Sequence, residues 1–388
     1  MRASELLDPP GFSPEAGLPV KESDRDQDIT YASSAQLPEL VDREDFKWKP
    51  REAQLESAHA EGVKLIVANK GRDGDGFAIC ERCGAAWLSD DDVPVKSHRR
   101  PFLVPRHVMI REQATAQCTG NIRRGIYLGH QFRTDILLLR VSFKSPMDFS
   151  PAQPWLYDAL ATFAEAIALG SSLALTIDPG ELSSGFRLVP PKEDGVGAAE
   201  IYLFDTASGG AGYAFDAGEN LNEVLDNVDT LLSYCPGACE RSCTKCLRHY
   251  GNRFFHSRLD RRLGLQLLRY ARSGVAPGLA SDAEQARGLE PLSRFLALEG
   301  WQVSTLVKRG SIVAPLVAER PGGGRPVLMG THPALLNRGE VAKQYELRQA
   351  SNDVVVLLPD YLIEQDLPSA YQEFLRQQSE VVKGQAAD

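Results

Sequence analysis

The sequence lacks the features that mark membrane and secreted proteins. No apolar run approaches the length that crosses a bilayer, and residues 1–5 do not begin the apolar core of a signal peptide. Hydrophobic residues make up 43% and charged residues 24% of the chain, as in soluble globular proteins. We therefore predict a cytoplasmic protein with no membrane partner.

Cysteines are also scarce, and their distribution is informative. The 388 residues include seven cysteines, which fall into two groups. In a reducing compartment, clustered thiols are more often metal ligands than disulfide partners. The scarcity elsewhere in the chain makes each group a candidate metal site.

Motifs for ATP binding are absent. The glycine-rich segment 208–212 follows a predicted strand, but it has neither the Gly-Lys-Ser/Thr ending of a Walker A loop nor GxGxxG spacing. We interpret it as a glycine turn that lets the backbone pass close to a metal module. With no acidic Walker B partner either, the chain alone is not expected to hydrolyse ATP.

Basic charge is in deficit overall and unevenly placed. The net charge of −9 excludes a protein coated uniformly for nucleic acid. The first fifty residues are acidic and proline-containing with little apolar periodicity, which predicts an extended or partly disordered arm. In contrast, residues 240–273 hold nine Lys and Arg against Glu240 and Asp260.

Apolar patterning predicts mixed secondary structure along the first three quarters of the chain. The predicted strands cover residues 65–69, 77–79, 134–141, 186–189 and 201–204, with 134–141 central in its sheet. The predicted helices cover residues 155–169, 221–232 and 256–271.

A boundary at residues 274–278 precedes a second pattern. Ser281 and Glu284 form a capping box for a helix that runs to about residue 298. Strands at 302–306, 312–317 and 327–329, a helix at 341–347 and a strand at 354–358 follow.

We therefore predict an α+β multidomain fold, with zinc-stabilised mixed β/α modules followed by a small C-terminal α/β domain. The predicted divisions are an acidic arm at 1–58, a β-rich module at 59–150, a four-cysteine domain at 151–275 and the α/β domain at 276–388.

The cysteines at 235–246 form the clearest chemical motif. Cys235, Cys239, Cys243 and Cys246 offer four thiolates within twelve residues. Structural zinc takes a closed tetrahedral shell of such ligands, often supplied by one local loop. An iron–sulfur cluster also uses four cysteines. Disulfides across such short spans would be strained.

A second candidate zinc site begins with Cys80 and Cys83, two residues apart after a strand and followed by glycine. Cys118 would be a third ligand, and His98 is favoured over His107 as the fourth. In the alternative interpretation the first two cysteines cap a β-turn and Cys118 is a core residue.

The basic residues beside the main cysteine group suggest contact with phosphates. The candidate nucleic-acid-binding residues are Arg241, Lys245, Arg248, Arg253, Arg258, Arg261 and Arg262. Tyr250, Phe254 and Phe255 lie among them and would either stack on unpaired bases or belong to the core. A solvated helix face is the alternative. A second basic run, Lys96, His98, Arg99, Arg100, Arg106, His107 and Arg111, lies beside the other cysteines.

The strand order of the C-terminal region is loosely that of a nuclease core, but the expected acid–x–lysine pairing is missing. Glu319 is therefore interpreted as an exposed charge at a strand end, and His332 as a turn or cap residue. We predict no catalytic residue. A divergent metal-dependent nuclease remains the enzymatic alternative.

Several of these segments resemble the MrfA-type zinc-binding domain, found in certain bacterial superfamily 2 DNA helicases and in DISARM phage-defence proteins of the DrmB type. The resemblance rests on residues 204–213, the four cysteines with residues 244–252, and residues 256–261. Upstream, it includes the Cys80–Cys83 pair with Gly84 and residues 128–135. It covers about residues 60–273.

The resemblance implies a zinc-binding accessory subunit that binds DNA, single-stranded or at a duplex end. Its partner would be a separately encoded superfamily 2 helicase or translocase, in antiviral defence. A purely structural scaffold subunit is the further alternative.

Overall fold

The computed structural model describes residues 5–7, 33–36, 46–71, 74–88, 97–99, 117–150, 153–191, 196–309, 312–321, 326–346 and 354–384. These residues form an α+β fold, as predicted. A large sheet carries helices on one face, and a four-stranded sheet follows it in the chain. A two-stranded ribbon lies near Cys80 and Cys83.

Among the described residues, the large sheet has nine strands. In chain order they are β1 (Glu5–Leu7), β2 (Ser33–Gln36), β3 (Lys49–Pro50), β4 (Leu55–Asn69), β5 (Phe77–Cys80), β6 (Ala86–Leu88), β9 (Ile122–Phe143), β10 (Leu182–Val189) and β11 (Gly197–Asp205). Five of them lie side by side in the order β10-β11-β9-β4-β2, and the other four pair at the sides of this array. The ribbon pairs β7 (His98–Arg99) with β8 (Gln117–Cys118).

The predicted central strand is confirmed, and it is much longer than its apolar run. β9 lies between β11 and β4 and pairs antiparallel with both. Leu137 and Leu139 face the main helical core, whereas Ile136 and Leu138 belong to a second cluster with Phe204. Because both faces are buried, the strand is continuously apolar instead of alternating.

Four helices cover one face of this sheet. They are α1 (Pro154–Leu175), α2 (Tyr213–Glu219), α3 (Leu221–Ser233) and α4 (Arg261–Ser273). Helix α1 packs against α3, α4 and the strands β10 and β11. Its segment Trp155–Leu175 is long and apolar enough to cross a membrane by length and composition, and most of its apolar stretch is buried inside the protein. Phe163 and Ile167 on this helix are completely buried.

The predicted helix at 256–271 begins later than expected. Residues Tyr250–Phe255 form a 3-10 turn, and α4 starts at Arg261. The reason is local: the Asp260 side chain accepts a hydrogen bond from the Arg262 amide and caps the helix there.

The C-terminal region forms its own sheet, β12 (Gln302–Arg309), β13 (Ile312–Glu319), β14 (Val327–His332) and β15 (Val354–Pro359), in that order. Three strands are antiparallel and β15 is parallel to β14. The helices are α5 (Asp282–Gly288), α6 (Glu290–Leu298), α7 (Arg338–Glu346), α8 (Asp360–Gln365) and α9 (Leu367–Gly384).

The helix predicted from the capping box is divided in two. The capping box of Ser281 and Glu284 is present, but α5 ends at Gly288 and α6 begins at Glu290. Pro291 lacks an amide hydrogen and occupies the first turn of α6, which favours a new helix start there.

The large sheet and the main core each contain residues from more than one of the predicted divisions. β4 begins at Leu55, inside the predicted arm, and with β9 from 59–150 it shares one sheet with β10 and β11 from 151–275. The C-terminal region contributes Leu335, Val341 and Leu357 to the main core. Most of the predicted acidic arm at 1–58 lies outside the described residues.

A buried carboxylate ties the strands of the large sheet together. Glu200 on β11 is completely buried, and it accepts hydrogen bonds from Arg140 on β9 at 2.7 Å and Arg187 on β10 at 2.7 Å. The Arg140 guanidinium also stacks 3.6 Å above the Trp48 ring. One carboxylate thus links three adjacent strands.

We expect Glu200→Ala to lower the free energy of unfolding by about 3–5 kcal/mol, because it leaves two arginines without their buried partner. The matched control is Glu290→Ala, which removes an exposed pair with Arg294 on α6 and should cost less than about 1 kcal/mol. Denaturant titration measures both. Equal losses in the two variants would contradict this account of the sheet.

Candidate metal centres and the adjoining basic surface

The cysteines at 235–246 converge after the end of α3. Within the described residues, two groups of side chains could hold a metal ion, and Cys235, Cys239, Cys243 and Cys246 form one of them, with ligand atoms within 4.8 Å of one another. Cys235 lies two residues beyond α3, and tight turns bring Ala238 back to the Cys235 carbonyl and Cys246 back to that of Cys243.

The sulfur separations fit zinc. The Cys235–Cys243, Cys239–Cys246 and Cys243–Cys246 sulfurs lie 3.5, 3.7 and 3.9 Å apart. A tetrahedron with Zn–S bonds of about 2.3 Å has edges of about 3.8 Å, whereas a disulfide requires about 2.05 Å. The four sulfurs are therefore placed for a shared ion and not for two disulfides.

Hydrogen bonding and burial affect the thiols differently. Backbone amides of Cys239 and Gly237 lower the pKa of Cys235 to about 6. Burial, with the neighbouring sulfurs, raises the pKa of Cys239 to about 12, and burial also raises the pKa of Cys246. Several thiolates this close repel one another, so full deprotonation favours a bound cation.

Arg261 clamps this cysteine loop to the start of α4. Its guanidinium donates to the carbonyl of Cys239 at 3.1 Å and to those of Leu232 and Ser233 at 3.2 and 3.1 Å. The last two carbonyls belong to the end of α3, where helical carbonyls have no partner within the helix. One side chain thus joins α3, the cysteine loop and α4.

The second group of candidate ligands is Cys80, Cys83, His98 and Cys118, again with ligand atoms within 4.8 Å. Cys80 ends β5, Cys83 lies in the following turn, and His98 pairs directly with Cys118 across the two-stranded ribbon. The four residues that the sequence grouped are thus brought together by two hairpin-like elements. His107 lies outside the described residues.

This second group is more buried than the first. Cys80, Cys118 and His98 are 1%, 1% and 5% exposed. The Cys83 sulfur lies 3.1 Å from His98 Nε2, and the Cys80 and Cys118 sulfurs are 3.9 Å apart. Burial raises the pKa of Cys83 to about 11. Three sulfurs and one imidazole form a donor set that suits zinc.

Gly120 explains how the chain fits beside this site. A Cβ atom at residue 120 would lie 2.7 Å from the Cys80 sulfur and 2.6 Å from the Arg82 Cβ. Its amide donates to the Cys118 sulfur at 3.4 Å. Only glycine lets the backbone approach this closely. Sequence reasoning missed this residue, although its place two residues after Cys118 is a usable signal.

Three of the predicted nucleic-acid-binding residues bind acceptors within the protein instead. Asp260 is completely buried, and its carboxylate accepts from Arg241 at 3.2 Å and Arg262 at 3.0 Å. The same arginines reach α8, where Arg262 pairs with Glu364 at 2.8 Å. With Arg261 clamping the cysteine loop, these guanidiniums hold the fold together, which sequence charge alone did not indicate.

The other basic residues are more open. Lys245 and Arg258 are exposed, whereas Arg248 donates to Ser242 Oγ at 2.9 Å. Arg253 lies 4.3 Å from the ring centres of both Tyr250 and Phe254. In the second basic run, Lys96, Arg100, Arg106, His107 and Arg111 lie outside the described residues.

The glycine-rich segment is occupied by a side chain of the protein itself. The buried Asp205 carboxylate accepts from the amides of Ala211, Gly212 and Ala214 at 2.5, 2.7 and 2.8 Å. These are the amides that a phosphate loop would present to its ligand. The segment packs on β9, where the Gly209 amide donates to the Arg133 carbonyl, and its close approach to the metal module stays a prediction.

The C-terminal sheet gives little support for a catalytic site. Glu319 ends β13, is 47% exposed and pairs with Arg309 at 3.1 Å, which confirms its interpretation as a strand-end charge. β14 carries neither an acid nor a lysine. His332 ends this strand and is 3% exposed, so the turn-or-cap interpretation is wrong, and burial lowers its pKa.

Comparison with known proteins identifies the region around the first cysteine group. Residues 163–247 match the MrfA Zn-binding domain. The chain is homologous to Druantia protein DruE of Escherichia coli (strain UMEA 4076-1), with 38% identity over 383 residues. This match covers 96% of the chain and 20% of DruE, so the chain spans about a fifth of that relative.

Two solved structures are also similar. The DUF1998 helicase MrfA bound to DNA is 12% identical, with a TM-score of 0.33, over 62% of this chain and 24% of MrfA. The same helicase bound to DNA and AMPPNP is 13% identical, with a TM-score of 0.24, over 62% and 23%. The family match over residues 163–247 confirms the predicted zinc-binding domain, whereas the specific resemblance to a DISARM protein stays a prediction.

We expect Arg261→Ala to lower the free energy of unfolding by about 2–4 kcal/mol, because three carbonyls lose a charged donor. Arg269→Ala on the exposed face of the same helix is the matched control and should cost less than about 0.5 kcal/mol. Denaturant titration compares the two. If they are equally stable, Arg261 does not clamp the cysteine loop.

Proposed function

We propose that this chain, homologous to a segment of a Druantia protein and carrying an MrfA Zn-binding domain, is a zinc-braced DNA-binding accessory region. It would act in the bacterial cytoplasm with an ATP-dependent helicase or translocase that lies outside this chain, in anti-phage defence. The observation that carries the proposal is a rigid cysteine loop whose outer side exposes basic and aromatic side chains.

Zinc is proposed to have a structural role. Cys235, Cys239, Cys243 and Cys246 would hold one ion, and Cys80, Cys83, His98 and Cys118 a second. Each site offers four protein ligands, the closed shell of structural zinc, with no position left for water or substrate. Seven cysteines and one histidine would supply all eight ligands, which accounts for every cysteine in the sequence.

DNA binding is proposed for the residues that the fold leaves available. Lys245 and Arg258 are exposed on either side of the 3-10 turn that follows the cysteine loop. Arg241, Arg261 and Arg262 are assigned to positioning, since their guanidiniums already have intramolecular acceptors. Phosphate contact by a few fixed cations gives affinity without sequence preference.

The nuclease alternative has less support. The C-terminal sheet has the order β12-β13-β14-β15, which is only loosely that of a nuclease core, β14 offers no carboxylate, and Glu319 lies beside Arg309. Magnesium-dependent cleavage of DNA that is abolished by Glu319→Ala would favour it over the accessory role.

Protein purified without chelator is expected to contain about two zinc ions per chain. Cys239→Ser and His98→Ala should each remove about one, because each breaks one closed four-ligand shell. His130→Ala, an exposed histidine outside both groups, should leave the zinc content unchanged. Elemental analysis measures the ratio. Full zinc content in Cys239→Ser would refute the first site, and full content in His98→Ala would refute the second.

Charge reversal at Lys245 and Arg258 together is expected to weaken DNA binding at least about tenfold at low salt. It should also flatten the dependence of affinity on salt, since fewer counterions are released. The control reverses Arg287 and Arg294, exposed on α5 and α6, with the same change in net charge. Fluorescence anisotropy of labelled DNA measures both effects.

Two results would count against the DNA-binding role. Equal weakening in the control variant would mean that net charge, not this surface, attracts DNA. Absence of DNA binding by the zinc-loaded protein at low salt would favour the purely structural scaffold.

A further inference from the structure

An aromatic stack protrudes from the protein directly after the cysteine loop. Tyr250 is 79% exposed and Phe254 is 38% exposed. The Arg253 guanidinium lies over both rings, 4.3 Å from the centre of each, so one cation contacts both aromatic side chains. Large aromatic side chains bury much apolar area when they pack, and leaving two of them in water forgoes that stabilisation.

The backbone beneath this stack is fixed. In the 3-10 turn Tyr250–Phe255, His249 and Asn252 form a reciprocal capping box. Asn252 is 4% exposed, and its side-chain NH2 group donates at 2.8 Å to the carbonyl of Leu247, the residue after the zinc-ligand candidate Cys246. His249 Nε2 is held by Glu165 of α1 at 2.7 Å. The stack is therefore pre-organised, and a ligand pays little to order it.

The charge around the stack selects the class of ligand. Lys245, Arg253 and Arg258 lie within eight residues of Tyr250 along the chain. Two acids of this region are neutralised, since Asp260 is buried between two arginines and Glu165 is bonded to His249. A flat aromatic surface with cationic side chains around it is complementary to a ligand that combines a planar ring with anionic phosphates. Unpaired nucleotides have this chemistry, whereas a duplex keeps its base faces stacked internally.

We propose that Tyr250, Arg253 and Phe254 form a stacking platform for an unpaired base of a DNA strand. This inference rests on the proposed DNA-binding role and names its substrate: single-stranded DNA, not duplex. Because Arg253 covers one face of the Tyr250 ring, the incoming base stacks on the opposite, solvent-facing side and extends the existing column.

The test compares a fluorescent single-stranded oligonucleotide with a blunt duplex of the same sequence. Combined Tyr250→Ala and Phe254→Ala changes should weaken single-strand binding about 10- to 100-fold, since each stacked base contributes substantially. Duplex binding should change less than about threefold. The salt dependence of single-strand binding should stay the same, because no phosphate contact is removed.

Three controls keep the result specific. Tyr234→Ala removes a 67%-exposed tyrosine outside the stack and should leave single-strand binding unchanged. Tyr250→Trp with Phe254→Tyr retains the rings and should restore binding. Zinc content and circular dichroism of the double alanine variant should match those of the unchanged protein, since neither side chain belongs to the two metal groups or to the main apolar core.

Base stacking is read directly with 2-aminopurine in the single strand. Its fluorescence should fall when the unchanged protein binds and should not fall with the double alanine variant. Equal weakening of single-strand and duplex binding, or none, would overturn the stacking platform while leaving the proposed DNA-binding role intact. Failure of the unchanged protein to bind any DNA would instead reject the proposed function itself.

Discussion

Four sulfur atoms crowded within 4.8 Å are the constraint on which the functional surface depends. Such crowding is unfavourable for thiolates alone, and the separations of 3.5–3.9 Å correspond to the edges of a zinc–thiolate tetrahedron. With the ion bound, the cysteine loop would be a rigid link between α3 and the 3-10 turn. The exposed aromatic stack is attached to this loop through Asn252 and Leu247, so its position depends on the cysteines.

The basic charge beside the cysteines has two distinct uses. A zinc ion with four thiolates carries a net charge of about −2, and guanidinium groups nearby offset it. Arg261 does so while holding three carbonyls, and Arg241 and Arg262 neutralise the buried Asp260. A cationic segment therefore need not be a nucleic-acid site throughout. The inward-facing arginines bind acceptors of the protein itself, whereas the outward-facing ones can contact a ligand.

Arg241, which pairs with the buried Asp260, also connects the cysteine domain to the C-terminal region. Arg241 donates to Gln365 at 2.7 Å and to the Tyr361 hydroxyl at 3.0 Å, and that hydroxyl donates to Asp158 of α1 at 2.9 Å. Burial raises the pKa of Tyr361, so the hydroxyl keeps its proton for this bond. The two sheets are thus joined by directional contacts as well as by the shared apolar core, which favours a fixed relative placement.

The sequence by itself determined the α+β class, the order of the main strands and helices, and the cysteines of both groups, and it favoured His98 over His107 without fixing the fourth ligand of the second group. These depend on local periodicity and ligand spacing, which are properties of neighbouring residues. Only the tertiary structure decided which arginines are exposed, that Asp205 fills the glycine-rich turn, and that α4 starts at Arg261 with Asp260 as its cap. It also decided that Tyr250 is exposed. These outcomes depend on acceptors and packing surfaces supplied by residues distant in the chain, and local patterns carry no record of them.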